Sequence, residues 1–126
     1  MRILQIIEPA HRATLEEQDD TVLWFTRAIR GAGAAADVLL VGSAASYAAR
    51  GQACPALQIG AWKQSHPPAI EHEIRELIAG GAQVLALRED LAERGIGAES
   101  MIPGIGMAAR AELAALFGGY DRVWKW

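Results

Sequence analysis

The chain carries one thiol, Cys54, in the run Gln52-Ala53-Cys54-Pro55. A thiol becomes a nucleophile or a sulfur carrier when it is exposed and flanked by cations that favour the thiolate. Arg50 and Lys63 are cations near it in sequence. Free cysteine is also among the most often buried residue types, so an inert, partly buried thiol is the plain alternative. A second group, Glu8, His11 and Arg12, follows the first apolar run. Arginine there can hold an anion and histidine can move a proton near neutral pH. Equally, Glu8 and Arg12 can form a solvated pair of little energetic worth. A third group, Arg88-Glu89-Asp90, follows the apolar run 83–87. It reads as a polar site or, more simply, as a helix start where the macrodipole favours acidic side chains.

Other chemistry is missing from the sequence. His66 and His72 stand six apart, off a common helical face, and no His-x-x-x-His pair occurs, so no metal site is expected. Gly-x-Gly occurs at Gly31-Ala32-Gly33, Gly95-Ile96-Gly97 and Gly104-Ile105-Gly106. None follows a strand in the arrangement a dinucleotide needs, and there is no phosphate loop or nucleophile elbow. No cofactor is expected.

These groups sit in 126 residues that are 52% apolar and 21% charged, with a formal net charge of −3. One domain over 1–126 is expected from that length. The composition is that of a globular core, and no net positive field draws the chain to nucleic acid or anionic lipid. One cysteine excludes an intramolecular disulfide framework. No apolar run approaches the roughly 20 residues that span a bilayer, and the N-terminal run is too short for a signal peptide. The expectation is a cytoplasmic protein that binds neither nucleic acid nor membrane.

The elements that position these groups follow from periodicity. Residues 3–7, 37–41 and 83–87 are short apolar runs that read as buried strands. Thr14-x-x-Glu17 is a capping box, predicting a helix with Leu15, Val22, Phe25 and Ile29 on one stripe and a stop near Gly31-Ala32-Gly33. A short alanine-rich helix is expected over 44–50, and Gln58 to Trp62 reads as a short strand or ordered loop. Pro67-Pro68 opens a helix with Ile70, Ile74, Leu77 and Ile78 as its apolar stripe, stopped by Gly80-Gly81. A short helix after residue 88 ends at Gly95, a fourth strand is expected within 100–106, a helix over 108–117 and a last strand over 120–126. Alternation at this pace predicts an α/β three-layer sandwich, a mostly parallel sheet of about five strands with helices on both faces. Ligands of such sheets collect at the carboxyl ends of strands. A shallow polar cleft is therefore expected between the loops after Ile7, Val41 and Leu87, lined by His11, Arg12, Ser43 and Arg88.

The order of elements, with Asp37-Val38-Leu39-Leu40-Val41-Gly42, the Gly80-Gly81-Ala82-Gln83-Val84-Leu85 entry to the third strand and the closing Tyr120-Asp121-Arg122-Val123-Trp124, resembles the DsrE/DsrF-like family over nearly the whole chain. The resemblance implies a small α/β protein that forms homo- or hetero-oligomers. Several members pass a persulfide between cysteines during sulfur oxidation or tRNA thiolation. The relay members carry sulfur on a cysteine at the end of the third strand, a position that falls at or near Leu87 here. Leucine cannot hold a persulfide. The resemblance therefore implies a binding or structural subunit with a sulfur-carrier protein as partner. Two other readings stay open: a persulfide carrier using Cys54, and a small-molecule or anion-binding module.

Trp124 and Trp126 stand two apart in the last strand and so face one side. With no later segment to cover them, they either pack on a helix or meet another subunit. Trp62 is a further interface candidate, since aromatic residues are enriched in interface cores. A homo-oligomer is expected.

Overall fold

The first apolar run forms β1 (Arg2–Ile7), and its five residues after Arg2 are all buried. The structure, a computed structural model, describes residues 1–10 and 20–126. The chain continues through α1 (Thr21–Gly31), β2 (Ala35–Leu40), a 3-10 segment over Gly42–Ala48, β3 (Gln58–Ile59) and β4 (Trp62–Lys63). It then forms α2 (Ile70–Ala79), β5 (Val84–Leu87), α3 (Arg88–Glu93), β6 (Gly106–Ala108), α4 (Leu113–Gly118) and β7 (Arg122–Lys125). β3 and β4 make a small antiparallel hairpin.

The five other strands form one sheet in the order β6-β5-β2-β1-β7, and every pairing in it is parallel. The α/β sandwich is thus the fold. The chain steps from β1 to β2, β5 and β6 in one direction, then returns across the sheet to place β7 on the free side of β1. Parallel crossovers are right-handed almost without exception. Steps in one direction therefore stack their helices on one face, and the return step puts its helix on the other. The core divides in this way. Ile7, Val38, Leu40, Val84 and Ala86 pack with Leu23 of α1, Ile74 and Leu77 of α2 and Leu91 of α3. Leu4, Ile6, Leu39 and Leu85 face Leu113, Leu116 and Phe117 instead.

The helix stops match the sequence: Gly80 closes α2, and Gly81 follows at φ +83°. Three expectations need correction. The helix expected over 108–117 begins only at Leu113, after Ala108 has joined the sheet and Arg110–Glu112 has made a 3-10 turn. Pairing of Ala108 with Leu87 and the bond from Ala109 N–H to Glu112 Oε2 (2.7 Å) override alanine's helix preference there. The alanine-rich helix is 3-10 and starts earlier, because Gly42 turns at φ +56° and Ala44 N–H donates to Glu8 O at 3.0 Å. The fourth strand expected within 100–106 runs instead over Gly106–Ala108, where it pairs with β5. The stripe of α2 is as expected, with Glu73 buried beside it.

The Thr14–Glu17 capping box and Leu15 lie outside the described residues. Within them, α1 is capped by Asp20, whose Oδ1 accepts from Val22 N–H (2.9 Å) and Leu23 N–H (3.1 Å) while Oδ2 accepts from Tyr47 O–H (2.8 Å). One carboxylate thus ends a helix and ties it to the segment after β2. Asp20→Ala is expected to lower unfolding stability by about 1–2 kcal/mol, the usual worth of a cap. Urea denaturation checks it, with the midpoint falling and the slope unchanged.

Candidate functional site

The carboxyl ends of the strands are the favoured ligand edge of a parallel sheet, and here polar contacts join strand ends to one another. Val41 N–H donates to Ile7 O (2.9 Å), which joins the ends of β1 and β2. Gly42 then turns away. A side chain there would meet Glu8 Cγ at 3.2 Å, on a backbone already in the left-handed region. Its N–H donates to Asp90 Oδ2 at 2.6 Å, and Asp90 Oδ1 lies 3.6 Å from the Arg110 guanidinium. Both oxygens of Glu89 accept from Arg110 N–H, at 3.0 and 2.9 Å. Asp90 is buried. The helix-start reading of Arg88-Glu89-Asp90 is correct for α3, and the two carboxylates also lock β2 and β6 to it. Sequence reasoning missed that second role, because nothing local pairs residue 90 with residue 42. Leu87, the last residue of β5, is only 5% exposed.

Ser43 and Arg88 follow β2 and β5 at this edge, and both are exposed. His11 and Arg12 lie outside the described residues. Cys54 is half-buried at this same edge, on the wall of a cavity of about 250 Å³ shared with Ala10 after β1, Ser46 and Tyr47 after β2, and Gln52, Ile70 and Glu71. Gln52 Nε2 donates to Ser46 O (2.6 Å) and Ala49 O (3.0 Å), which pins this segment against the 3-10 turn. The Glu71 carboxyl is held below its ordinary range, first by its hydrogen bond from Arg75 and then by Gly51 N–H. Those contacts measure 2.8 and 2.7 Å. Arg50 and Lys63, the cations near Cys54 in sequence, do not line this cavity. Among the described residues no group of His, Cys, Asp and Glu side chains is placed to hold a metal ion.

A second polar cluster lies at the opposite, amino edge. Asp37 is buried there and accepts from Tyr120 O–H (2.9 Å) and Gln83 N–H (2.8 Å). Arg2 approaches it to 3.4 Å and Arg30 to 3.9 Å, beside an open cavity of about 470 Å³. Both guanidiniums are also engaged with main chain: Arg30 with Ala36 O (2.9 Å) and Gly80 O (2.7 Å), Arg2 with Gly119 O (3.1 Å). The Tyr120 hydroxyl is pushed up to about 12, chiefly by burial and then by its bond to Asp37. These groups fasten loops together at the edge away from the strand-end loops.

The aromatic candidates separate. Trp124 and Trp126 share one side of β7 and meet Phe25 of α1 at ring distances of 6.4 and 6.0 Å. A helix of the same chain therefore contacts both rings, although Trp126 stays 49% exposed. Its indole N–H donates to Gln5 Oε1 at 2.7 Å. Trp62 is 44% exposed on the β3–β4 hairpin. Trp24, which the sequence did not single out, is 53% exposed on α1. Among the described residues no helix is long and apolar enough to cross a membrane.

No family model and no curated protein sequence matches the chain. Solved structures do. The YchN protein from E. coli superposes with a TM-score of 0.70 at 20% identity, covering 100% of both chains. The protein of unknown function MTH1491 from Methanobacterium thermoautotrophicum superposes with a TM-score of 0.62 at 12% identity, covering 98% of this chain and 97% of that one. The fold is therefore YchN-like.

The raised Tyr120 hydroxyl has a consequence for stability. Folding favours its neutral form, so its contribution is complete below pH 10.0, the ordinary value, and is lost as the pH rises toward about 12. Stability measured across that window should fall in the native protein. Tyr120→Phe should remove this part of the slope, and an unchanged slope would refute the assignment.

Proposed function

We propose that the chain is a DsrE-like protein of a sulfur-oxidation or sulfur-relay pathway. It acts in the cytoplasm, as one domain over 1–126, as a binding or structural subunit beside a sulfur-carrier protein. The observation that carries this reading is the burial of Leu87 at the end of β5. The place where the resembling relay proteins hold their thiol is here apolar, covered and without a group that can carry sulfur. The YchN-like fold supports the resemblance. His11, Arg12, Ser43 and Arg88 are the proposed binding residues at the strand-end loops, for the partner or for a small anion. The subunit self-associates, and the exposed indoles of Trp62 and Trp126, with the partly covered Trp124, are its proposed contacts. Exposed apolar area of this kind is unusual unless something covers it.

One observation favours a second reading. Cys54 is half-buried on the wall of a cavity rather than packed into the core. In that reading its thiolate attacks the outer sulfur of a persulfide donor, the donor's S–S bond breaks, and the donor leaves as a thiolate while Cys54 keeps the sulfur.

Intact-protein mass measurement after incubation with a low-molecular-weight persulfide separates the two. The subunit reading expects no added mass. A gain of about 32 Da, one sulfur atom, that disappears in Cys54→Ser would establish the carrier reading and overturn the first.

A further inference from the structure

The cavity beside Cys54 has walls of two kinds. The 3-10 segment after β2, the start of α2 and Ala10 after β1 supply most of it. The first two belong to elements packed into the core through residues such as Ala48 and Ile74. Gln52, Ala53 and Cys54 supply the remaining wall. They sit in the run 51–56, which is held differently. None of its residues belongs to either buried core. Among the described residues, 53–56 form no hydrogen bond from main chain to main chain.

The run is anchored just outside its two ends. Arg50 N–H donates to Ser100 O (2.9 Å), and Ala49 bridges Met101. At the far end Gln64 N–H donates to Leu57 O (2.8 Å), and Gln64 Oε1 accepts from Leu57 N–H (3.2 Å). Between these anchors the run is held through two side chains. Gly51 N–H donates to Glu71 Oε2 at 2.7 Å. Gln52 Nε2 donates to Ser46 O at 2.6 Å and to Ala49 O at 3.0 Å. Gly51 lies next to the first anchor at φ +77°, with nothing within 4 Å of where a side chain would start. The backbone can turn there without a steric penalty. Cys54 precedes Pro55, and that pair keeps the far half of the run extended and stiff.

A segment with few main-chain bonds and no core contact opens at a fraction of the free energy of global unfolding. We propose that residues 51–56 are a hinged strap across the cavity, latched by Glu71 and Gln52, whose opening governs the entry of small molecules to the cavity and to Cys54. This goes beyond both readings above and depends on neither, since the strap gates the cavity whether the thiol carries sulfur or is inert. Both latches are built to release. Gly51 and Gln52 are exposed, and Ser46, Ala49 and Glu71 are partly so. Water can therefore take the place of either partner when the strap lifts. While it is down, the bond from Gly51 reaches a carboxylate that Arg75 also holds, and such charge-assisted bonds are the stronger kind.

Cys54 is the one thiol of the chain, so its reaction with excess dithiodipyridine, followed by the thiopyridone released, reads the opening of the strap. The full chain is used, with thermal melts to show that each variant is folded. The native thiol should react more slowly than the same thiol in urea. Q52A and E71A should each speed the native reaction about tenfold, the factor that one hydrogen bond of this kind contributes. In E71A the Gly51 amide should lose protection from hydrogen exchange while the amides of β1 and β5 keep theirs. Q52A leaves every charge in place, so it separates opening of the strap from any effect of the Glu71 charge on the thiol. Unchanged rates in both variants would overturn the strap. So would acceleration in E71A alone, the mark of a charge effect, or acceleration matched by lost protection in β1 and β5, the mark of global unfolding.

Discussion

β1 is flanked by strands on both sides, and most of the molecule follows from that constraint. Helices pack on both of its faces as well, so its side chains must be apolar or internally bonded. Ile3, Leu4, Ile6 and Ile7 meet the first condition. Gln5 meets the second in part, since its Oε1 takes the Trp126 indole N–H. Its Nε2, fully buried, has no hydrogen-bond partner among the described residues. A buried amide so placed carries a cost, and the bond it does make ties the C-terminal residue to the middle of the sheet. Because the chain leaves β1 on one side and returns on the other, the direction of the crossovers reverses. That reversal distributes α1, α2 and α3 to one face and α4 to the other.

At the carboxyl edge of the sheet an apolar strand end is followed by carboxylates that bind main chain. Leu87 is buried, and the next turn supplies Glu89 and Asp90 as acceptors for Arg110 N–H and Gly42 N–H. Two carboxylates in the first turn of a short helix are favoured by its free N–H groups. Here their outer contacts also fix the strand ends. The edge is thus held by charge-assisted bonds to main chain, which are stronger than neutral ones. Cys54 lies beside the same edge, on a cavity between the loop after β1, the 3-10 turn after β2 and the start of α2.

The two ends of the sheet differ in kind. At the amino edge the charges of Arg2, Arg30 and Asp37 are turned inward onto main chain and one another, which fastens loops. At β7 the charged side chains Arg122 and Lys125 are exposed and flank Val123 and Trp124. Charges on an edge strand commonly serve to prevent pairing with other chains.

The sequence by itself determined β1, β2, β5 and β7 and several helix ends. Runs such as Val84–Leu87, too apolar for any exposed position, must be buried on both faces, and Gly81 stops a helix by taking a positive φ that other residues rarely adopt. These are local properties, and so they were legible. The same-side placement of Trp124 and Trp126 was legible for the same reason, being a matter of strand period. What packs on them was not, since Phe25 is about a hundred residues away. The failure over 108–117 is of that kind as well. Alanine-rich sequence favours helix locally, but Ala108 lies beside Leu87 across the sheet, and pairing outweighs a propensity worth only tenths of a kcal/mol per residue. Asp90 with Gly42, Asp37 with Tyr120 and Cys54 with its cavity were likewise decided only in three dimensions. Each joins residues distant in sequence, and hydrogen bonds and cavities depend on which atoms meet, which no local pattern specifies.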